Sequence, residues 1–492
     1  MLPLICGAIY PLGYAPFELY PVTILALAGL FYSLNHVRRY RTAFLFAWLF
    51  GIAKFGVGAS WIYVSIQQYG SVHWLAAGGL VALFVCLIAL LTGLVGIATH
   101  IPPQTRERFP TLDTALYRCF QFAFVWLAYE WLRSSLLTGF PVLDAGYVLI
   151  STPFDGLAPI LGVKGISFAI AFVAAALVSG WVTLAVGAIV VFLCTGLALI
   201  DYTERLEPRQ VGIVQVNIPL TEKFEMARRG HTLRIYSQLT HSLRPKDLVL
   251  WSEAAFVYEQ TRMRRTLEIV RTTSNHKYVG TGYIEIDDEL IYNSLLISGD
   301  DDANYRKLRL VPFGEYVPFR SILRPILGFA NVPYSDLQVG ELEDRSLNVS
   351  GLQLVPAICY EASFENDVRD AMRQTNADAI VVVSEDAWFG DSLGPHQNFE
   401  MARMRAREHG RYLVRAANSG ISGIVGPDGE VIAQADQFQR TTLEGQIFTM
   451  SGKTPYTRFG ALLMNVLMIF GVFWITVNRL IGWRQATKRL PF

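Results

Sequence analysis

The sequence has no excess of charge of either sign, and long parts of it have no charge at all. Its 492 residues include 42 Lys and Arg and 41 Asp and Glu, a net charge of +1. Nucleic-acid binding needs a basic surplus to neutralise phosphates, so this balance argues against that class of protein. Only 15 of the charged residues lie in residues 1–200, and none lies in 55–105 or 165–200. A single soluble domain is excluded, because a folded surface in water needs polar cover throughout.

The uncharged stretches are long enough to cross a bilayer, since ~20 apolar residues that rise ~1.5 Å each match a hydrocarbon core of ~30 Å. No basic segment precedes the first stretch, so we do not expect a cleavable signal peptide. That first stretch is short and starts almost at Met1, which fits either a half-helix or a trimmed gene start. Hydropathy predicts eight spans, near 3–14, 20–36, 43–65, 73–98, 114–135, 158–178, 181–200 and 459–478.

Basic residues in the short loops predict the orientation, because such loops are retained in the cytoplasm. Arg38, Arg39 and Arg41 follow the second predicted span and Arg479 follows the eighth, whereas residues 67–72 after the third span contain no basic residue. The exits of the even-numbered spans are therefore expected on the cytoplasmic side. The charge-rich insert between the seventh and eighth spans then lies on the opposite side, which in a bacterium is the periplasm.

The pattern predicts three domains: a transmembrane domain of about seven spans (1–201), a periplasmic domain (202–452), and a C-terminal transmembrane helix with a cytoplasmic tail (453–492). The middle domain alternates β-branched runs with helical patterns, which is typical of an α/β fold. PDGE at 427 indicates a tight turn between two strands. Strands are predicted to begin near 211, 247, 278, 290, 352 and 379, and helices to cover 262–274, 363–374 and 396–410.

Cysteine is scarce, and the middle domain contains only one, Cys359. Without a disulfide partner in an oxidising compartment, this residue is either a buried inert side chain or a functional thiol. It ends the apolar strand pattern LQLVPAIC and a helical pattern, SFENDVRDAMR, follows it. Such a strand-to-helix elbow is expected to bring backbone N–H groups near the sulfur, which would favour the thiolate and bind an oxyanion.

Two further residues supply what a nucleophilic thiol requires. Glu253 follows the apolar strand LVLW, and Lys307 lies among apolar residues in YRKLRLVPFG. A thiol that attacks an ester or amide needs a base, and the resulting oxyanion needs a cation or N–H donors. Taken singly, Glu253 could cap a helix and Lys307 could be a solvated surface lysine. The ordered set of Glu253, Lys307 and Cys359 is what indicates an active site.

This ordered set resembles the nitrilase (carbon–nitrogen hydrolase) superfamily, and with its flanking spans the chain resembles the bacterial apolipoprotein N-acyltransferase family. The resemblance covers nearly the whole chain, and its most specific motifs are LVPFGEYVP and DAWFGDSLGP. Other matching motifs are GYAPFELYPV near the start, SWIYVSI at 60, EWLRSSLLTGFP at 130, VQVNIP at 214, YNSLL at 292, AICYE at 357 and VGPDGEV at 425.

The resemblance implies an αββα sandwich that carries out ping-pong acyl transfer. Cys359 would take an acyl chain from a membrane phospholipid as a thioester and pass it to the N-terminal amine of a diacylglyceryl-modified apolipoprotein. Glu253 would be the general base, and Lys307 would stabilise the tetrahedral intermediate. The family's further active-site positions correspond to Glu315, Tyr360 and Glu361, and possible substrate contacts to Phe224 and Trp388.

The resemblance implies neither a metal nor another cofactor, and no nucleic-acid partner. It places the protein in the bacterial inner membrane as a multi-pass protein, expected to be a monomer. Four residues depart from the family's usual pattern: Ser252 replaces proline in W-P-E, Phe224 replaces tryptophan, Glu385 replaces asparagine in S-N-D-A-W-F-G, and Val142 replaces tryptophan in F-P-W-L. These changes bear on efficiency or substrate preference more than on the class of reaction.

Two other functions remain possible from the sequence. One is a membrane-tethered amidase or nitrile hydrolase that acts on a soluble substrate. The other is a non-enzymatic lipoprotein-binding scaffold or transporter.

The remaining expectations concern residues at the bilayer. Glu130 and Arg133 are expected to form an intrahelical pair rather than a substrate contact. Lys54 either snorkels to the membrane interface or lines a lipid cavity. The apolar segment 321–334 is either an arm that dips towards lipid or ordinary core.

Overall fold

The fold was analysed in a computed structural model of the chain. The chain forms two compact units: Met1–Ser60 with Leu75–Ile200 and Phe459–Phe492, and Trp61–Trp74 with Asp201–Arg458. The segment 321–334 lies outside the described residues. The structure describes residues 1–70, 72–101, 114–317, 336–341, 345–349, 351–460 and 462–487, the last ten of these as backbone only.

The first unit is helical, and a helix lies at each position where a span was predicted. Four helical segments of the described chain are long and apolar enough to cross a membrane: Tyr40–Gly58, Trp74–Thr99, Asp155–Leu177 and Trp181–Ala198. The prediction of eight spans is therefore supported only for these four by length and composition. Among the other helices, Leu2–Ile9 and Tyr20–Asn35 are shorter, Ala115–Ser135 carries three charged residues, and the side chains of Leu462–Thr487 are described only as far as Val477. The helices are Leu2–Ile9, Tyr20–Asn35, Tyr40–Gly58, Trp74–Thr99, Ala115–Ser135, Ala158–Leu177, Trp181–Ala198 and Leu462–Thr487.

A buried ion cluster lies inside this helical unit. The Asp144 carboxylate accepts from both Arg133 and Lys164, and Glu130 Oε1 accepts from the backbone N–H of Ala145 at 2.7 Å. The expected pair between Glu130 and Arg133 is therefore wrong. The buried loop after the helix folds back and presents Asp144 to Arg133, whereas Glu130 is engaged by the backbone of the same loop.

Lys54 does not snorkel, because its side chain is completely buried. Its Nζ lies 4.4 Å from the ring centroid of Tyr10 and 5.0 Å from that of Trp126. No hydrogen-bond partner for this nitrogen occurs in the part of the chain that the structure describes. The side chain is therefore enclosed by aromatic rings.

The second unit contains two mixed β-sheets. The first has the order β13-β1-β2-β4-β5-β6, with β3 also paired to β4, and the second has the order β12-β11-β10-β9-β8-β7. Strands β1, β2 and β4 are mutually parallel, as are β8, β9 and β10. The strands are β1 Glu204–Gln215, β2 Leu248–Trp251, β3 Val257–Glu259, β4 Tyr278–Asp287, β5 Leu290–Ser298, β6 Ala303–Arg306, β7 Leu347–Val349, β8 Leu352–Ile358, β9 Ala379–Ser384, β10 Tyr412–Ala417, β11 Ser422–Val425, β12 Val431–Ala435 and β13 Thr441–Ser451.

The two sheets pack face to face. Ile213 and Leu250 of the first sheet share one apolar core with Leu354 and Val381 of the second. Burial of these side chains on both sides of the interface stabilises the sandwich, at about 25 cal/mol for each Å² of apolar surface removed from water. This core brings together the strand ends of both sheets, where the site residues lie.

Helices cover the outer face of each sheet, which completes four layers. Arg229–Ser242 and Gln260–Ser274 supply buried residues to the core on the first sheet. Glu365–Gln374 and Leu393–His409 do so on the second. The prediction of an α/β sandwich is confirmed, and so is the turn at PDGE, where Gly426 N–H donates to Glu430 O between β11 and β12.

Candidate active site

The three residues expected to be catalytic each lie at the end of a strand. Glu253 follows β2 by two residues, Lys307 directly follows β6, and Cys359 directly follows β8. Lys307 Nζ lies 3.5 Å from Glu253 Oε1 and 2.9 Å from Glu315 Oε1. The fold thus brings together a base, a cation and a thiol from both sheets, all of them buried.

Asn293 links the two carboxylates of the site. Its Nδ2 donates to Glu253 Oε1 and to Glu315 Oε1, at 2.7 Å each. Glu253 Oε2 is buried and has no hydrogen-bond partner among the described residues. One oxygen of Glu253 is therefore fixed by Asn293, while the other is available to accept a proton.

Lys307 remains a cation although its side chain is only 1% exposed. Burial alone lowers the pKa of a lysine, but the charges of Glu315 and Glu253 outweigh this effect and raise the pKa of Lys307 above its ordinary value. Glu315 is itself anchored, since its Oε2 accepts from the backbone N–H of Val311 at 2.8 Å. Lys307 is thus a fixed positive charge between two carboxylates.

Cys359 forms the predicted elbow and has a left-handed backbone with φ 54°. For a residue other than glycine this conformation costs about 1–3 kcal/mol and occurs mainly at functional sites. A five-residue 3₁₀ helix, Cys359–Ser363, begins at the sulfur-bearing residue.

The expectation that the elbow favours the thiolate is wrong for the resting site. Burial raises the pKa of Cys359, and the charge of Glu253 raises it further, while Lys307 and Ser384 only partly oppose them. Burial and the charge of Glu253 thus favour the protonated form of the sulfur.

Glu361 joins the two loops that carry Lys307 and Cys359. Its carboxylate accepts from the hydroxyl of Tyr305 at 2.9 Å and from the backbone N–H groups of Leu308, Arg309 and Ile358 at 2.8, 3.0 and 2.8 Å. Burial raises its pKa, although these donors favour the charged form. Because these bonds join the loop after β6 to the elbow after β8, Glu361 fixes the distance between the cation and the thiol.

Three aromatic residues expected near the site are half-buried. Tyr360 contacts Phe364 edge-on, with ring centroids 4.8 Å apart. Phe224 packs against a small apolar cluster that includes Ala254. Part of each of these two rings remains exposed. The third residue, Trp388, contacts a separate segment of the chain.

Trp388 is held by the segment Trp61–Trp74. Ser65 Oγ donates to the backbone oxygen of Trp388 at 2.7 Å, and the rings of Tyr69 and Trp388 meet at 5.1 Å. Ser65–Tyr69 form a π-helical turn, a geometry that often occurs at functional sites.

The sequence did not reveal several residues that the fold brings to the site. Asn293 lies within the YNSLL motif, but nothing in the motif shows that its amide joins two carboxylates. Lys223 ends NIPLTEK, where its spacing gave no partner. Ser384, Asn418 and Tyr305 have polar side chains at strand ends or within a strand, a signal that becomes informative only once the strand order is known.

A buried thiol beside a carboxylate and a fixed cation, on an αββα sandwich, is the arrangement expected of a carbon–nitrogen hydrolase-type enzyme. Two family models match the chain: "Carbon-nitrogen hydrolase" over residues 210–454, and "Apolipoprotein N-acyltransferase N-terminal domain" over residues 6–176. The chain belongs to the apolipoprotein N-acyltransferase family. Its activity is therefore acyl transfer in lipoprotein maturation.

Relatives of nearly the same length carry this family assignment. The apolipoprotein N-acyltransferase of Methylococcus capsulatus is 33% identical and covers 94% of this chain and 92% of its own. Those of Azotobacter vinelandii (34%, covering 97% and 95%) and Pseudomonas putida (32%, covering 100% and 97%) are similar. A crystal structure of a CN-hydrolase superfamily protein from Xanthomonas campestris, 15% identical, covers 49% of this chain and 91% of its own, with a TM-score of 0.38.

Proposed function

We propose that the enzyme transfers an acyl chain from a membrane phospholipid, through a thioester on Cys359, to the α-amine of the S-diacylglyceryl cysteine at the N-terminus of an apolipoprotein. The observation that carries this proposal is the convergence of Glu253, Lys307 and Cys359 in one buried site. The thiol is protonated at rest, and Glu253 has an unengaged carboxylate oxygen to receive its proton.

In the first half-reaction Glu253 takes the proton of the Cys359 thiol as the sulfur attacks the ester carbonyl carbon of the phospholipid. Lys307 stabilises the negative oxygen of the tetrahedral intermediate. The attack forms the S–C bond, and collapse of the intermediate restores the C=O double bond and breaks the ester C–O bond. The proton on Glu253 passes to the leaving oxygen, which departs as the hydroxyl of a lysophospholipid.

In the second half-reaction the apolipoprotein amine attacks the thioester. Glu253 takes a proton from the attacking nitrogen, a C–N bond forms, and the S–C bond breaks. The proton then returns to sulfur, which restores the thiol of Cys359. Glu315 and Glu361 position the site in both half-reactions, and Phe224, Tyr360 and Trp388 contact the lipid or peptide.

The helical unit supports this reaction by keeping the enzyme in the inner membrane. Both substrates keep their acyl chains in the bilayer, so a tethered catalytic domain meets them at a raised effective concentration. The proposal includes the domain division 1–201, 202–452 and 453–492, with the middle domain on the periplasmic side. It also includes action as a monomer.

The test is to incubate the purified enzyme with a labelled phospholipid and a diacylated lipopeptide and to analyse both by mass spectrometry. An acyl adduct on Cys359 and an amide-linked lipopeptide are expected, and Cys359→Ala should abolish both. Cys86→Ala is the matched control and should retain activity, because Cys86 lies in the helical unit.

Absence of both adduct and product in the wild-type enzyme would defeat the proposal. Product formation by Cys359→Ala would show that Cys359 is not the nucleophile. Hydrolysis of a soluble amide without any lipopeptide product would instead support the membrane-tethered amidase.

A further inference from the structure

Lys223 and Glu385 form a buried ion pair that joins the two sheets. Lys223 lies in the segment after β1 of the first sheet, and Glu385 directly follows β9 of the second. Both side chains are 2% exposed. The pair therefore lies at the carboxyl ends of central strands, the same edge that carries Glu253 and Cys359.

In addition to Glu385, Lys223 binds the backbone of Glu253, the proposed base. Its Nζ donates to the backbone oxygen of Glu253 at 2.6 Å. Ala254, the next residue, has a left-handed backbone with φ 48°, so the chain turns sharply just after the base. A buried ammonium on this carbonyl oxygen fixes that turn and with it the direction of the Glu253 side chain.

Glu385 is fully hydrogen-bonded on the other side of the pair. Asn418 Nδ2 donates to its two oxygens at 3.2 and 2.9 Å, and the backbone N–H of Ala387 donates to Oε1 at 3.3 Å. Asn418 also bonds the backbone N–H and oxygen of Ile218, at 3.0 and 2.7 Å. A continuous set of bonds thus runs from Glu385 through both sheets to the base.

The charge of this pair matters because a buried ion without a partner is strongly unfavourable, whereas a bonded pair is tolerated. Lys223 is 2% exposed, and its ammonium is one such buried ion. Glu385 cancels that charge beside Glu253.

We infer that the Lys223–Glu385 pair is a positioning device for Glu253, which sets both the orientation of the base and the net charge next to it. This inference rests on the proposed role of Glu253 as general base. Neither residue touches the reacting atoms, so both act through Glu253.

The net charge next to Glu253 can be measured through the pH dependence of the reaction. Glu253 interacts with Lys223, Lys307, Cys359 and Glu385, while Glu315 and Glu361 face Lys307. Tyr69 and Tyr236 face Glu385. Asp386 is also near, but it is paired with Arg415 at 2.9 Å. The Lys223–Glu385 pair can be neutralised one charge at a time without changing Lys307, Glu253 or Glu315.

The experiment measures kcat/KM and kcat against pH for Glu385→Gln, Lys223→Met and the double variant. In Glu385→Gln the uncompensated ammonium favours the Glu253 carboxylate, so the acid limb should move about one unit to lower pH. Lys223→Met should lower kcat about 10-fold or more, because the turn after the base loses its donor. The double variant has no net charge at residues 223 and 385, as in the wild type. Its acid limb should therefore lie at the same pH as that of the wild type.

Lys246→Met is the matched control, because Lys246 pairs with Glu444 at 2.5 Å near the opposite end of β2. Its acid limb should not move. If Glu385→Gln fails to fold, Glu385→Asn, which keeps a short amide at this position, should give the same shift. The inference would be overturned if the acid limb does not move in Glu385→Gln or in Glu385→Asn. It would also be overturned if the acid limb of the double variant shifts as it does in Glu385→Gln.

The two proposals fail separately. If the wild-type enzyme forms no thioester on Cys359, the proposed function fails. If it forms the thioester and only the predicted pH shifts are missing, the inference about Lys223 and Glu385 fails alone.

Discussion

Opposing effects act on the pKa of the Cys359 thiol. Burial and Glu253 raise the pKa of the thiol, while Lys307 lowers it, and the first two prevail. A permanent thiolate would be a stronger nucleophile at rest but would also be open to oxidation. In the proposed mechanism Glu253 instead removes the proton as the sulfur attacks the substrate carbonyl.

This balance predicts the alkylation behaviour of Cys359. The midpoint of the iodoacetamide reaction rate against pH should lie above about 8.5, the ordinary value for a cysteine. Because the pKa is raised, the thiol is protonated below this midpoint and reacts slowly at neutral pH. Glu253→Gln removes a negative charge and should lower the midpoint, whereas Lys307→Met should raise it. Mass spectrometry of the Cys359 peptide gives the rates, and a midpoint below pH 7 in the wild type would contradict the charge balance.

Among the elements, the helix Ala115–Ser135 and the loop that follows it depend on charges buried inside the helical unit. Asp144 in the loop neutralises Arg133 of this helix and Lys164 of the helix Ala158–Leu177. Its side chain has no exposed surface. A single carboxylate therefore joins three segments of the chain.

Asp144→Asn should destabilise the helical unit by about 3–5 kcal/mol, because two buried cations lose their counter-ion. Thermal unfolding in detergent measures the effect. Glu207→Ala is the control, since Glu207 and Arg209 form an exposed pair at 2.8 Å that is worth about 0–1 kcal/mol. Equal stability of the two variants would show that Asp144 does not hold this unit together.

At the scale of the whole molecule, the distribution of charge separates two environments. The helical unit has four helical segments, among the described residues, that could span a bilayer, and the sandwich unit carries most of the charge. The basic loop at Arg38, Arg39 and Arg41 predicts which end of the second helix faces the cytoplasm.

The proposed orientation can be tested with single cysteines and a membrane-impermeant thiol reagent on intact spheroplasts. Asp300→Cys, at an exposed position of the sandwich unit, should be labelled. Arg39→Cys, exposed in the helical unit, should be labelled only after the membrane is permeabilised. The unmodified chain gives the background from its own cysteines. Labelling of Arg39→Cys but not Asp300→Cys in intact spheroplasts would reverse the orientation.

Much of the site could be predicted because the information is local in the chain. A strand pattern that ends in a polar or nucleophilic residue indicates where Glu253 and Cys359 lie, and the LVPFGEYVP motif does so for Lys307. Lys223 and Glu385 are 162 residues apart and gave no such pattern. Their pairing depends on two sheets packing against each other.

The sequence alone indicated an apolar part suited to a membrane and a charge-rich part with an α/β fold, and it contained the ordered set Glu253, Lys307 and Cys359. These features follow from hydrophobic periodicity, composition and motifs, which a chain contains before it folds. Only the tertiary structure decided that Arg133 pairs with Asp144 rather than Glu130, that burial raises the pKa of Cys359, and that Glu385 forms an ion pair with Lys223. Ion pairing and desolvation depend on distances between residues far apart in sequence, and folding alone sets those distances.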